Sequence, residues 1–215
     1  MRLYSMSRNS AGWRVRIALA LKNIEYEYVS TRALAKGEYA RINPQGLMPA
    51  LEIDGTLVAQ SGAILELIEE LHPSPPLLPS DPIARATTRS FGQLIAADLR
   101  PLNNNRVRKY LAGEMAQDDA AIRAWYHHWS TTALAGLEEM LRRRERPSAF
   151  CFGDAPGFAD LHLVPQLYNC RRFEVDLAPY PLLTAADRAC RDVAAFREAA
   201  PERMPDFSGD EPPWA

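Results

Sequence analysis

Asn43-Pro44-Gln45-Gly46-Leu47-Met48-Pro49-Ala50-Leu51 is the stretch on which the reading of this chain turns. Proline has no N–H to give to a strand ladder, so ahead of an apolar run it is tolerated only at the first position of the strand. The run it opens is half of a hairpin: Pro49–Ile53 and Leu57-Val58 flank Asp54-Gly55, a dipeptide suited to a tight two-residue turn. Taken alone, the stretch reads as a rigid turn delivering the chain into a strand.

Working outward changes that reading. Upstream, Arg2–Ser5 has the composition of a short strand, Ser10–Lys22 that of a largely buried helix, and Tyr26–Val29 that of a second strand, a βαβ unit. A short polar helix is expected over Leu34–Arg41. Downstream, Ser61 stands at a helix N-cap position, and Ile64, Leu65, Leu67, Ile68 and Leu71 follow on one stripe. The order βαβ-α-ββα predicts a thioredoxin-like domain over residues 1–72. In such folds the proline of this hairpin is cis, and the backbone of the preceding residue, here Met48, faces outward at a sheet edge where an extended peptide can pair.

Between His72 and Pro82 stand five prolines, which exclude a helix or strand interior and predict a linker over residues 73–82. Beyond it the strand signals stop. Ile83–Leu111, Asp118–Arg144 and Phe158–Cys170 are helical by period and propensity, with shorter helices from Pro181 to Glu198, so residues 83–215 are expected to form an all-helical domain. Pro101 is expected to kink the first of these helices. The tail from Pro201 to Ala215, with four prolines, is expected to be an irregular extension.

Composition narrows the function classes. The chain has 215 residues, 47% of them hydrophobic, and a formal net charge of −2. Such a balance argues against nucleic acid as the main partner. No apolar run has the length of a membrane span, and the N-terminal residues lack a signal-peptide pattern, so a cytoplasmic protein with no membrane partner is expected. Cys151, Cys170 and Cys190 are odd in number, widely spaced and without metal-ligand spacing; free thiols in a reducing compartment are the expectation, with no metal site.

The βαβ unit has neither Gly-x-Gly-x-x-Gly nor a phosphate-binding loop, which removes the main support for nucleotide chemistry. No cysteine precedes Cys151, so any sulfur chemistry in the first domain needs a sulfur supplied by a ligand. Two helix starts suit such a ligand. Gln60-Ser61 at the start of the last helix of the domain are placed to clasp an α-carboxylate and α-amine, since helix N-termini favour anions. In Ser7-Arg8-Asn9-Ser10-Ala11-Gly12-Trp13-Arg14-Val15-Arg16, a thiol held over the first helix would be biased to thiolate by the dipole and by a hydroxyl, most simply that of Ser10. Ordinary capping serines are the plainer alternative in both places.

Trp13 to Lys22, Asn43-Pro44 through Leu51, Gln60-Ser61, Pro101-Leu102-Asn103-Asn104, Gly153-Asp154, Leu163-Val164-Pro165-Gln166 and Arg172 through Pro181 together resemble the zeta class of glutathione transferases, which includes maleylacetoacetate and maleylpyruvate isomerases. The resemblance spans nearly the whole chain, apart from Ser30–Tyr39 and the tail. It implies glutathione as cofactor, bound by Met48 and Pro49 at its cysteinyl part and by Gln60 and Ser61 at its γ-glutamyl end, with Arg100 and Asn104 reaching glutathione or substrate. It implies Arg8 and Arg172 as holders of substrate carboxylates, with Arg8 also beside the chemistry; Arg106 is a further arginine that an isomerase of a diacid could use to ring its pocket. The class pattern Ser-Ser-Cys before the first helix is Asn9-Ser10-Ala11 here, so Asn9 takes the position of the serine assigned to the thiol and Ser10 is its neighbour.

The activity so implied is cis–trans isomerisation of an unsaturated keto diacid by reversible thiolate addition. A general transferase or dehalogenase acting on small electrophilic acids, and a non-catalytic glutathione-binding module, are the alternatives. A homodimer is likewise implied. His127 and His128 are expected to be packing or surface residues.

Overall fold

The computed structural model describes residues 1–209. They form two compact units: Met1–Leu77 together with the chain from Cys190 on, and Leu78–Ala189.

The first unit is built on a four-stranded sheet. Strands β1 (Arg2–Ser5), β2 (Glu27–Ser30), β3 (Ala50–Ile53) and β4 (Thr56–Ala59) lie in the order β2-β1-β3-β4. β1 and β2 are parallel, joined by α1 (Ser10–Leu21); β3 runs antiparallel to both β1 and β4. After β2 comes α2 (Glu38–Ile42), and after β4 comes α3 (Ser61–Leu71). The predicted turn forms, with Asp54 at φ 48° and Gly55 at φ 77°, both in the region that two-residue hairpin turns require. Leu3, Val15, Leu19, Leu51, Ile64 and Ile68 are all fully buried and form the core of the unit. α1 lies so close on β1 that a Cβ at Gly12 would come within 1.9 Å of the Ser5 hydroxyl oxygen, which explains a glycine inside a buried helix.

The proline-rich segment is lashed to this unit as far as Leu77. Lys22, its side chain wholly buried, pairs with Glu69 at 2.8 Å and donates to the carbonyls of His72 (2.5 Å) and Pro75 (2.7 Å). The Glu69 carboxylate also accepts the Leu77 N–H. The residues read as a linker are thus held by a buried ion pair whose remaining donors and acceptors are used on backbone.

Helix α4 (Pro82–Gln93) starts at the Asp81 cap, but the continuous helix expected to Leu111 does not exist. α4 passes into a π-helical turn at Leu94–Leu99, then α5 (Arg100–Leu102), and α6 (Asn105–Gly113) restarts under a new cap, Asn104. Pro101 offers no N–H to the preceding turn, and the widened turn lies immediately before it. α7 (Asp119–Arg142) and α8 (Phe158–Arg172) form the rest of the second unit's frame, with α9 (Pro181–Arg191) running to its end. Phe91, Ile95, Leu134, Leu137, Leu163, Leu167 and Leu183 are fully buried in its core. The Gly157 cap of α8 lacks a side chain; instead its N–H donates to Asp160 at 2.9 Å, and Asp160 also accepts the Cys151 N–H.

The chain from Cys190 on belongs with the first unit, although the sequence pattern had grouped all residues after 82 as helical. α10 (Ala194–Glu198) packs on α1, and the fully buried Arg16 donates to the Ala199 carbonyl at 3.0 Å. A 3-10 turn at Pro201–Arg203 follows. Residues 210–215, the last part of the tail expected to be irregular, lie outside the described residues.

Candidate active site

The stretch that opened the reading is organised by Asn43, itself almost fully buried. Its carboxamide accepts the Gln45 N–H at 3.2 Å and donates to the Leu47 carbonyl at 2.7 Å, and the Gly46 N–H closes the turn on the Asn43 carbonyl. The Met48–Pro49 peptide is cis. The ladder with β1 ends at Ala50, and β3 is flanked by strands on both sides, so Met48 lies beyond the leading end of an interior strand, not along a lateral sheet edge as expected. Among the described residues its backbone N–H and C=O have no hydrogen-bond partner. Thr31 donates to the Met48 sulfur at 2.9 Å.

At the start of α3 the capping residue is Gln60, not Ser61, which occupies the first helical position. Gln60 holds φ 71° and ψ 117°, a conformation costly for a residue with a Cβ. It caps nothing with its side chain, which donates to Gln45 at 2.6 Å and so ties the two ligand-reading stretches together. The leading N–H groups of α3 are left with no side-chain cap, an arrangement suited to an anion. Ser61 is buried, and its hydroxyl accepts from Arg14 at 3.4 Å.

At the start of α1 the cap falls on Asn9, one residue before the serine that was the plainer capping candidate. Asn9 is the cap, its side-chain oxygen accepting the Gly12 N–H at 2.5 Å, while Ser10 lies in the first turn with 2% exposure. Asn9 is half-buried and keeps its amide hydrogens for another partner. Ser10, almost without accessible surface, is the poorer candidate to meet an incoming sulfur. Arg8, just ahead, donates to the Ser208 carbonyl at 2.6 Å and stacks over Phe207 at 5.0 Å.

In the second unit the arginines converge on an aromatic floor. Tyr126 and Phe173 stack with centroids 4.1 Å apart. Arg108 lies 4.5 Å over Phe173, and Arg172 lies 5.8 Å from both Phe173 and Tyr168. Burial lowers the pKa of Arg108, and the nearby positive charge of Arg172 lowers it further; burial likewise lowers that of Arg100, with Arg108 adding to the effect. Burial pushes the Tyr126 phenol well above its ordinary value. Sequence reasoning named Arg100 and Arg172 but missed Arg108, weighing the exposed Arg106 instead. The available signal was the helix period, since Arg108 stands four residues after Asn104. Asn104 spends its side-chain oxygen on the Arg106 N–H at 3.1 Å. His127 bonds the Phe173 carbonyl at 2.6 Å, a packing role as expected.

The strand order, the cis proline and the two helix starts define a glutathione-binding thioredoxin-like unit, and residues 1–70 match the family described as glutathione S-transferase, N-terminal domain. Maleylpyruvate isomerase of Ralstonia sp is 41% identical over 211 residues, covering 96% of this chain and 99% of that protein. A holo structure of maleyl pyruvate isomerase, described as a bacterial zeta-class glutathione S-transferase, superposes with a TM-score of 0.91 at 40% identity, covering 97% of this chain and 100% of that one. Maleylacetoacetate isomerase from Anaeromyxobacter dehalogenans, solved with glutathione in its active site, gives 0.85 at 42% identity, covering 95% and 96%. The chain belongs to the zeta-class glutathione transferases, in the maleylpyruvate and maleylacetoacetate isomerase family.

Among the described residues no helix is long and apolar enough to cross a membrane.

Proposed function

We propose that this protein is a glutathione-dependent cis–trans isomerase of maleyl-type keto diacids, maleylpyruvate or maleylacetoacetate. The observation that carries the reading is the gathering of Arg100, Arg108 and Arg172 around Tyr126 and Phe173. Burial and the charge of Arg108 lower the pKa of Arg100, and burial and the charge of Arg172 lower that of Arg108, so the three make a local positive region that favours an anion. A guanidinium fork takes a carboxylate through two parallel hydrogen bonds, and a diacid brings two such groups.

The chain also fits glutathione. The unpartnered Met48 backbone suits an extended peptide, and Gln60 with the uncapped start of α3 suits its γ-glutamyl carboxylate. When bound, glutathione supplies the thiol whose reversible addition lets the double bond rotate. For this the protein holds a proton away from the sulfur: the Asn9 amide donates where the class has a serine hydroxyl, and the positive end of the α1 dipole adds to it. Each unit brings its own groups suited to a carboxylate, Arg8 in the first and Arg100, Arg108 and Arg172 in the second, and a guanidinium beside the ketone oxygen favours the electron density that develops there.

A second reading, a glutathione-binding module without turnover, is favoured only by Asn9 in the place of the serine. Incubation with glutathione and maleylpyruvate or maleylacetoacetate, following loss of the cis isomer by absorbance, tests the proposal. Conversion with glutathione regenerated is expected. No turnover of either substrate would remove it, and halide release from α-halo acids in its place would establish transferase chemistry.

A cytoplasmic setting suits the three buried free thiols. Pairing as a homodimer suits the exposure of Leu71, Ile83, Tyr110 and Met115, which a partner chain would cover.

A further inference from the structure

The break between α5 and α6 is tied to one turn of α7 by bonds that run in both directions. Asn103, the buried residue that ends α5, donates from its side-chain amide to the Tyr126 carbonyl at 3.2 Å and to the Ser130 hydroxyl at 3.0 Å. The Trp125 indole N–H returns a bond to the Leu102 carbonyl at 3.0 Å. The same turn of α7 holds the aromatic floor: Tyr126 stacks on Phe173, and the His127 ring bonds the Phe173 carbonyl. Arg108, on the helix that starts just past the break, lies over both rings, 4.5 Å from Phe173 and 6.0 Å from Tyr126.

Stability alone would not select this tie. Among the described residues the Asn103 side-chain oxygen meets no donor, and a buried acceptor left unmet costs stability that an apolar pair of the same shape would not. What the amide supplies is direction. Its two hydrogens take two separate acceptors on α7, which fixes the end of α5 in rotation as well as in distance, and α6 starts from there under the Asn104 cap. No hydrogen bond holds the Arg108 Nε among the described residues, so the place of that guanidinium rests on the rings beneath it and on the helix that carries it. A fork that must meet both oxygens of a carboxylate is sensitive to such placement.

We propose that Asn103 is a positioning residue: by clamping the break between α5 and α6 onto the Tyr126 turn, it sets the guanidinium of Arg108 where a substrate carboxylate is taken. This rests on the reading of the protein as a keto-diacid isomerase with Arg108 as a carboxylate holder, and the test separates the two.

In the full-length chain, Asn103→Leu combined with Ser130→Ala replaces the buried polar pair by apolar groups. Thermal stability should stay near wild type, while KM for maleylpyruvate or maleylacetoacetate rises roughly fivefold and kcat changes by less than about twofold. KM for glutathione should not move. Placed on Arg108→Ala, the two changes should add no further rise, since all act through one guanidinium. Trp125→Phe keeps a ring and removes the return bond; it should raise KM roughly threefold and decides the matter should the double variant fold poorly. An unchanged KM in the variant so chosen, a rise that persists in full on Arg108→Ala, or a parallel loss of glutathione affinity and thermal stability would overturn the inference. If Arg108→Ala raises KM and the Asn103 variant does not, only the clamp falls. If Arg108→Ala leaves KM unchanged, the carboxylate role of Arg108 falls and the clamp with it. A wild-type chain that turns over neither keto diacid removes the isomerase reading itself, and the clamp with it.

Discussion

The side-chain oxygen of Asn9 accepts the backbone N–H of Gly12, so the residue that caps α1 still has both amide hydrogens to offer. A serine at the same place would have to divide one hydroxyl between capping and the thiol. The amide divides the two tasks between two atoms.

That division is separable by mutation. Asn9→Asp keeps the capping oxygen and removes the donor, so folding stability should hold while the pKa of bound glutathione, read from thiolate absorbance, rises. Asn9→Ala removes both and should also cost about 1 kcal/mol of stability. A bound thiol titrating alike in wild type and Asn9→Asp would assign activation to other groups.

Gln60 holds a backbone conformation that glycine adopts freely. Gln60→Gly should leave stability within about 1 kcal/mol of wild type, because relief of the positive φ and the added chain entropy of glycine act in opposite directions. Glutathione should bind roughly tenfold more weakly, since one charge-assisted contact is lost. Calorimetry and a denaturant melt on the same variant give both numbers.

Arg108 should matter to the diacid and not to glutathione. Arg108→Ala is expected to weaken kcat/KM by about tenfold to a hundredfold, the range of a hydrogen bond to a charged group. Arg108→Lys should rescue little, because an ammonium neither stacks on Phe173 nor presents a fork. Equal losses with a neutral electrophile would show that Arg108 supports the fold instead.

The Lys22–Glu69 pair is buried, so removing one partner strands the other. Lys22→Ala or Glu69→Ala should each destabilise by about 3–5 kcal/mol, and the double variant by less than the sum. A loss under about 1 kcal/mol in chemical denaturation would count against this pair as an anchor of the proline-rich segment.

Much of this architecture was legible in the residues. The strands, α1, α3 and the hairpin turn follow from alternation, an apolar stripe and Asp54-Gly55, all local signals. The break of the long helix at Asn103-Asn104 was not, because helical propensity continues through Asn105–Leu111 and only Pro101 hinted at a fault. Cap assignments slipped by one residue at both helix starts. Serine is a commoner cap than glutamine and the equal of asparagine, so propensity could not choose Asn9 over Ser10, and at α3 the positive φ of Gln60 makes it the cap. Arg108 escaped notice because an arginine on a polar helix face looks solvated until Phe173, from a distant helix end, is placed beneath it. The bond from the Ser7 N–H to the Asp206 carboxylate has no signature at all, since a pairing of residues so far apart leaves no periodicity.

The discontinuity of the first unit bears on how the protein is made. During vectorial synthesis the sheet and α1 leave the ribosome long before Ala199, so the guanidinium of Arg16 must wait, lacking the carbonyl it will finally grip, while the whole intervening helical unit is translated. The first unit is therefore completed only by residues that emerge after the second, and a nascent chain released before Ala199 would carry an unfinished first unit however well its middle had folded.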